Sequence, residues 1–94
     1  MNLTTEQLEQ VEQLAYRLLP PREIAIIVEV NALDLSDAIQ TEGSPEHQAF
    51  YRGYLRQVVE QRDALIRAAQ NGSNPAQEEL LKLVQNLENR LKYG

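Results

Sequence analysis

The chain contains no cysteine and no tryptophan, and it has a single histidine, a single phenylalanine and no long apolar run. The absence of cysteine excludes disulfide bonds and thiolate metal ligands, and it suits a protein of the cytoplasm. His47 alone is too little for a zinc site, so we expect it to pack or to cap a helix. Because no apolar run approaches about 20 residues and no signal sequence is evident, neither membrane insertion nor secretion is expected.

The polar residues do not form a catalytic pattern. Glu6, Glu9 and Glu12 have helical spacing, and we expect them to form the wet face of a helix rather than a catalytic pair. No glycine-rich phosphate loop is present, and Gly72 is expected to end a helix. No serine has a plausible base apart from the single histidine. The sequence therefore predicts a protein that is not an enzyme and that uses neither a metal ion nor a cofactor.

What the chain does have is an aliphatic composition and an uneven distribution of charge. Its 94 residues, of which 43% are hydrophobic, suffice for one compact domain with a modest core, to which self-association would add apolar burial. Residues 1–43 hold two arginines against eight acidic residues, whereas residues 44–94 hold seven basic and six acidic residues. The overall charge of −5 argues against binding nucleic acid through net charge alone.

Residues 1–43 predict an N-terminal unit of three short helices, with the size of a helix-turn-helix. The first helix is expected to begin at a capping box on Thr4 and to end at Pro20, because proline disfavours helix continuation. The second helix is expected over about 21–30, and the third over about 34–41 with Gly43 as its C-terminal cap. Apolar residues recur at helical spacing in each of the three segments, which supports the assignment.

Residues 44–94 predict a long helical hairpin that serves oligomerisation. Ser44 is expected to cap a long fourth helix, residues 71–75 to break it, and Asn74 to cap a fifth helix. Apolar positions of the fourth helix alternate at spacings of four and three, a seam that suits contact with another helix. The seam comprises Tyr51, Leu55, Val58, Arg62, Leu65 and Ala69, and the fifth helix has a stripe at Leu80, Val84, Leu87 and Leu91. The fold is therefore predicted to be all-α, with three short helices followed by a long helical hairpin.

The residues expected at an interface between helices or between subunits come from this seam and this stripe. They are Leu55, Val58, Leu65 and Val84. Arg62 lies on the same seam and is counted with them, with two interpretations open for it. It either pairs with an acidic residue of another helix or chain, or extends along the edge of the seam with its charge in water.

Arg52, Arg56 and Arg67 project from another side of the fourth helix and form the best candidate surface for nucleic acid. Repeated around an oligomer, this surface would multiply a weak contact with double-stranded DNA. The alternative is an ordinary solvated helix face, on which Glu60 and Asp63 pair with the arginines. The three arginines are therefore the DNA-binding candidates by charge.

Two stretches of the sequence resemble phage terminase small subunits and related phage-borne helix-turn-helix proteins. Residues 11–30, VEQLAYRLLPPREIAIIVEV, have the family's run of helix, proline-bearing turn and Glu-Ile-Ala second helix. Residues 44–83, SPEHQAFYRGYLRQVVEQRDALIRAAQNGSNPAQEELLKL, are similar to its long helix with aromatic residues and arginines, its Ala-Ala end, its glycine-containing break and its final helix. The resemblance implies a small DNA-packaging subunit in the cytoplasm of a bacterial host.

The resemblance also implies a mechanism and a set of partners. Such subunits bind the viral genome at its packaging site, assemble as homo-oligomeric rings and deliver the DNA to a large, ATP-driven terminase subunit. The layout of the motif makes Gln40 of the third helix a candidate for base contact, yet that helix offers Asp34 and Asp37 and no basic residue. Glu29 stands where the family's tight turn often has glycine, and Asn31 is expected to supply the bend instead.

Two other functions remain open on the sequence. The acidic N-terminal unit would suit an adaptor that docks a basic protein partner and binds no DNA. A helix-turn-helix transcriptional regulator is a further alternative, and it requires specific operator binding by a dimer. Salt-dependent DNA binding distinguishes packaging from the adaptor, because an adaptor would show none even at low ionic strength.

Overall fold

The computed structural model describes residues Met1 to Tyr93, and every regular element in that range is an α-helix. In chain order the helices are α1 (Thr5–Tyr16), α2 (Pro21–Val28), α3 (Ala32–Gln40), α4 (Pro45–Gln70) and α5 (Asn74–Tyr93). The predicted all-α class is confirmed. Over these residues, no helix combines the length and the apolar content needed to cross a membrane.

The chain divides into two compact units, and the boundary between them falls inside α4. The first unit comprises residues 1–58, and the second begins at Val59. This boundary lies beyond the change in charge at residue 43, because the first turns of α4 belong to the core of the three short helices. Ala49 of α4 is a buried member of that core.

Local side-chain bonds fix the start of α1. The hydroxyl of Thr4 accepts a hydrogen bond from the backbone N–H of Gln7 at 3.1 Å, and the Gln7 side chain accepts one from the Thr4 N–H at 2.9 Å. This is the predicted capping box. The helix ends at Tyr16, earlier than predicted, and Leu18 then takes a left-handed conformation (φ 67°). The chain therefore leaves the helix before it reaches Pro20.

The turn between α2 and α3 differs from the prediction. Glu29, not Asn31, takes the left-handed conformation (φ 63°, ψ 48°), so α2 ends at Val28. Asn31 instead caps α3, since its side-chain oxygen accepts a hydrogen bond from the Asp34 N–H at 3.0 Å. A satisfied cap at Asn31 lets the helix begin at Ala32, ahead of the predicted start.

The connection from α3 to α4 contains one correct and one incorrect prediction. Gly43 has a positive φ of 82°, but the residue that caps the C-terminus of α3 is Thr41, and Gly43 lies two residues further on. The predicted cap of α4 is present, because the Ser44 hydroxyl oxygen accepts a hydrogen bond from the His47 N–H at 2.9 Å.

His47 and Ser44 also fasten the start of α4 to the end of α3. The Ser44 hydroxyl donates to the carbonyl of Ala38 at 2.6 Å. The Nδ1 atom of His47 lies 2.6 Å from the carbonyl oxygen of Ile39, and because a carbonyl only accepts, Nδ1 carries the proton. The single histidine therefore has a structural role here.

The core of the first unit is aliphatic, as its composition indicates. Its buried residues are Val11, Ala15, Ile24, Ala25, Val28, Leu35, Ile39 and Ala49. Helix α4 lies close to α1 at Gly53, where an added Cβ would overlap the backbone carbonyl of Glu12. Gln57, one turn along α4, donates from Nε2 to the carbonyl of Tyr16 at 3.0 Å. Only glycine permits this approach.

In the second unit, the end of α4 and the start of α5 are joined by a short turn. Gly72 has a φ of 95°, and the Ser73 hydroxyl accepts a hydrogen bond from the Ala76 N–H at 3.3 Å. Ser73 therefore caps α5, and the prediction of Asn74 as the cap is wrong, since Asn74 is already helical. The Gln77 side chain donates to the carbonyl of Ala69 at 3.0 Å, which ties the first turn of α5 to the last turn of α4.

Candidate nucleic-acid and assembly surfaces

Arg52 and Arg56 lie one turn apart on α4 and share one carboxylate, that of Glu12 on α1. Arg52 Nη1 is 3.2 Å from Glu12 Oε1, and Arg56 Nη2 is 3.2 Å from Glu12 Oε2. The guanidinium carbon of Arg56 also lies 5.6 Å from the centroid of the Tyr16 ring. The sequence could not indicate Glu12 as the partner, because it lies 40 and 44 residues away along the chain.

The electrostatic balance at this cluster stays positive but weak. Two guanidinium groups face one carboxylate, and the arginine side chains remain 63% and 54% exposed, against 21% for Glu12. Exposed ion pairs of this kind contribute about 0–1 kcal/mol each to stability. The outward-facing N–H groups of both arginines therefore remain accessible to a phosphate, although Glu12 offsets part of their attraction.

Arg67, the third predicted DNA-binding arginine, belongs to the second unit. It is exposed in the last turn of α4, where a cation is favoured by the helix dipole. Of the three predicted arginines, Arg52 and Arg56 lie together around Glu12 in the first unit. The third, Arg67, belongs to the second unit.

Helix α3 presents an outer face whose charged side chains are acidic. Leu33, Asp37 and Gln40 are spaced four and three residues apart, so they share one side of the helix, and all three are exposed. Leu33 is 76% exposed, an unusual position for a leucine. No lysine or arginine occurs between Arg22 and Arg52. Gln40 is placed at the last residue of α3 beside carboxylates, so this face repels phosphate.

Aromatic side chains cluster at the start of α4. Phe50 packs against the core of the first unit, and its ring centroid lies 5.3 Å from that of Tyr51 and 6.4 Å from that of Tyr54. His47 lies 4.6 Å from Tyr51, centroid to centroid. The two tyrosines remain partly exposed and border an open groove of about 300 Å³ with Leu18. The aromatic residues therefore serve packing on their inner side and leave phenol rings at the surface.

None of the predicted interface residues is fully buried within its own unit. Leu55 is exposed and Val58 is half-buried within the first unit. In the second unit Leu65 is half-buried, and Val84 and Arg62 are exposed. In the single chain, Arg62 therefore extends into water, which agrees with the second of its two interpretations.

The second unit contains an open apolar groove between α4 and α5, called here the second-unit groove. It encloses about 250 Å³. Its lining residues are Arg62, Ile66, Leu80, Leu83, Val84, Asn86, Leu87 and Arg90. Leu87 is 57% exposed, and both charged side chains of the lining are arginines.

The groove is open because the second unit buries little of its own apolar surface. Among its described residues, the buried apolar side chains are Ala69 and Ala76, both near the turn. The leucine and valine side chains of α5 are half-buried or exposed. A helix with an apolar stripe is normally stabilised by packing that stripe against another element. The second unit thus presents an apolar surface that a further helix can cover.

Nothing in the geometry points to a bound metal ion. Across Met1 to Tyr93, the structure contains no group of three or more histidine, cysteine, aspartate or glutamate side chains that could hold a metal ion.

No family model, no curated protein and no solved structure matches the chain. The function is therefore inferred from the surfaces of the two units and from the resemblance in the sequence.

Proposed function

We propose that this chain is a DNA-packaging protein of the terminase small-subunit type, which acts as an oligomeric adaptor for a large terminase subunit and is not an enzyme. The observation that carries the proposal is the second-unit groove, an apolar surface left open between α4 and α5. Together the two helices form the oligomerisation hairpin. The resemblance of residues 11–30 and 44–83 to that family supports the same assignment.

The energetics favour self-association. Burying an exposed leucine or valine side chain is worth about 1.5–3 kcal/mol, and the second-unit groove offers several such side chains. A chain of 94 residues gains proportionally more from added burial than a large domain does. Assembly through the second unit would therefore stabilise the chain and repeat its surfaces around a ring.

The DNA contact in this proposal falls on Arg52 and Arg56, assisted by Arg67. One copy offers a weak phosphate contact, since Glu12 offsets part of the charge of the first two arginines. A ring repeats that contact in every subunit, and linked weak contacts raise the overall affinity without new interactions. The acidic outer face of α3 makes Gln40 a poor base-reading residue.

A matched pair of substitutions tests the assembly. Leu87 and Leu81 are both on α5 and both 57% exposed, but only Leu87 lines the second-unit groove. We expect Leu87→Asp to lower the oligomer mass measured by sedimentation velocity, because it places a carboxylate in an apolar contact. Leu81→Asp should leave the mass unchanged. Equal behaviour of the two variants, or a wild-type monomer at all concentrations, contradicts the proposal.

A second candidate function is an adaptor that binds a basic protein and no DNA. Two observations favour it: Glu12 holds Arg52 and Arg56, and the outer face of α3 carries only acidic charge. A titration with double-stranded DNA at low and moderate salt separates the two functions. Packaging predicts an affinity that falls with salt and that drops in the Arg52→Ala, Arg56→Ala, Arg67→Ala triple variant. The adaptor predicts no binding at any salt concentration.

A further inference from the structure

The charges that line the second-unit groove are of one sign. Arg62 of α4 and Arg90 of α5 are its charged residues, and the rest of the lining is apolar apart from Asn86. An isologous dimer would place two such grooves face to face and bring arginine side chains towards arginine side chains. Like charges opposed across an interface oppose association. The groove therefore favours contact with an acidic surface over contact with the groove of a second copy.

The outer face of α3 has the complementary chemistry. Leu33 is the most exposed large apolar residue of the first unit at 76%, and Asp34 and Asp37 flank it on the same helix. Asp37 lies one turn after Leu33, on the same side of α3. Among the described residues, neither carboxylate has an ion-pair partner. This face thus pairs an exposed apolar side chain with two acidic ones.

We propose that α3 of one copy docks into the second-unit groove of a second copy. Leu33 enters the apolar lining near Val84 and Leu87, while Asp34 and Asp37 pair with Arg62 and Arg90. This inference rests on the proposed function, because it specifies how the copies of the oligomer meet.

Such a contact joins two different surfaces of the same chain, so it is heterologous. Each copy offers one α3 face and one groove, and a repeated heterologous contact closes into a ring when its rotation permits. The same contact assigns a role to the acidic third helix, which a DNA-reading function leaves unexplained. It also assigns to Arg62 the ion pair with an acidic residue of another chain that its place on the seam suggests.

Charge reversal on each side tests the docking. One variant combines Arg62→Glu with Arg90→Glu, and the other combines Asp34→Lys with Asp37→Lys. We expect each variant alone to associate at least about tenfold more weakly than the wild type, because like charges then meet at every contact. An equimolar mixture should recover the oligomer mass, since each α3 face then meets a groove of opposite charge.

Two controls keep the result interpretable. Glu6→Lys with Glu9→Lys reverses the same number of charges at exposed positions of α1 and should leave the oligomer mass unchanged. Asp34→Asn with Asp37→Asn removes the charge without reversing it, and it should weaken association even if the lysine variant loses helix content by circular dichroism.

The outcomes separate this inference from the proposed function. A wild type that assembles, with both reversed variants assembling equally well, overturns the docking of α3 and leaves assembly through another surface intact. Reversed variants that stay apart when mixed, although both are helical, also overturn it. A wild-type monomer at all concentrations overturns the docking and the proposed assembly together.

Discussion

The two units of the chain differ in what they do with their apolar residues. The first unit buries Ile24 and Leu35 completely, in a core to which α1, α2, α3 and the start of α4 all contribute. The second buries only Ala69 and Ala76 among its described apolar residues and leaves Leu87 more than half exposed. The first unit thus encloses large apolar side chains in its own core, whereas the second exposes the side chains that another helix would cover.

The units differ in charge as well. Residues 1–58 carry four basic and nine acidic residues, whereas residues 59–94 carry five of each, and the lining of the second-unit groove carries two arginines and no acid. The exposed apolar side chains of the groove and its positive charge therefore favour contact with a surface that is both apolar and acidic. In the proposed assembly, the acidic face of α3 and the open, positively charged groove would be complementary surfaces.

The largest expected effect contrasts the two units directly. Leu35→Ala should lower the free energy of unfolding by about 2–5 kcal/mol, because Leu35 is fully buried and a cavity remains. Leu87→Ala should change it by no more than about 1 kcal/mol in dilute, monomeric protein, because Leu87 is already half in water. Urea denaturation followed by circular dichroism measures both. Similar losses in the two variants contradict the contrast between the units.

The next effect concerns the contact between α1 and α4. Gly53→Ala should destabilise the first unit by about 1–3 kcal/mol, because the new Cβ meets the carbonyl of Glu12 and the helices must separate. Gly43→Ala serves as the control, since its Cβ meets nothing within 4 Å and only the positive φ is unfavourable. Thermal unfolding should rank Gly53→Ala as the more harmful change. The reverse order argues against the close approach.

A smaller effect tests the cap of α5 in the second unit. Ser73→Ala should lower the free energy of unfolding by about 1 kcal/mol, because the Ala76 N–H loses its side-chain acceptor. Asn74→Ala should have almost no effect, since Asn74 is already helical. Urea denaturation of the two variants decides between Ser73 and Asn74. A larger loss of stability in Asn74→Ala than in Ser73→Ala would identify Asn74 as the cap, as the sequence alone predicted.

The smallest effect on stability comes from the surface cluster of the first unit. Glu12→Gln should change the free energy of unfolding by less than about 1 kcal/mol, because its two ion pairs are solvent-exposed. The same change should strengthen any DNA binding by Arg52 and Arg56, which lose their competing carboxylate. Fluorescence anisotropy at low salt measures the affinity. Unchanged binding in Glu12→Gln places the DNA contact away from these arginines.

The sequence was sufficient where the structure depends on neighbouring residues. The Thr4 and Ser44 caps are local patterns that span four residues, and the structure contains both. The all-α class follows from helical periodicity, which each segment shows separately. The predicted arrangement of α4 and α5 as one long hairpin, together with the interface residues drawn from it, stays a prediction.

The sequence was insufficient where the structure depends on residues far apart or on competing local choices. Glu12 meets Arg52 and Arg56 only after α1 and α4 have packed, and the same packing explains Gly53. Glu29 adopts a left-handed conformation that its residue type disfavours, at the turn between the packed helices α2 and α3. Asparagine adopts a left-handed conformation more readily than glutamate, so residue preference alone predicted the bend at Asn31.

The most direct test of the account is hydrogen exchange of the backbone amides at low and high protein concentration. If another copy covers the second-unit groove, the amides of α5 from Leu80 to Leu87 should exchange more slowly as the concentration rises. The amides of α1, a helix of the first unit that does not line the groove, should exchange at the same rate throughout. Exchange in α5 that is independent of concentration would contradict the claim that the groove is an assembly surface.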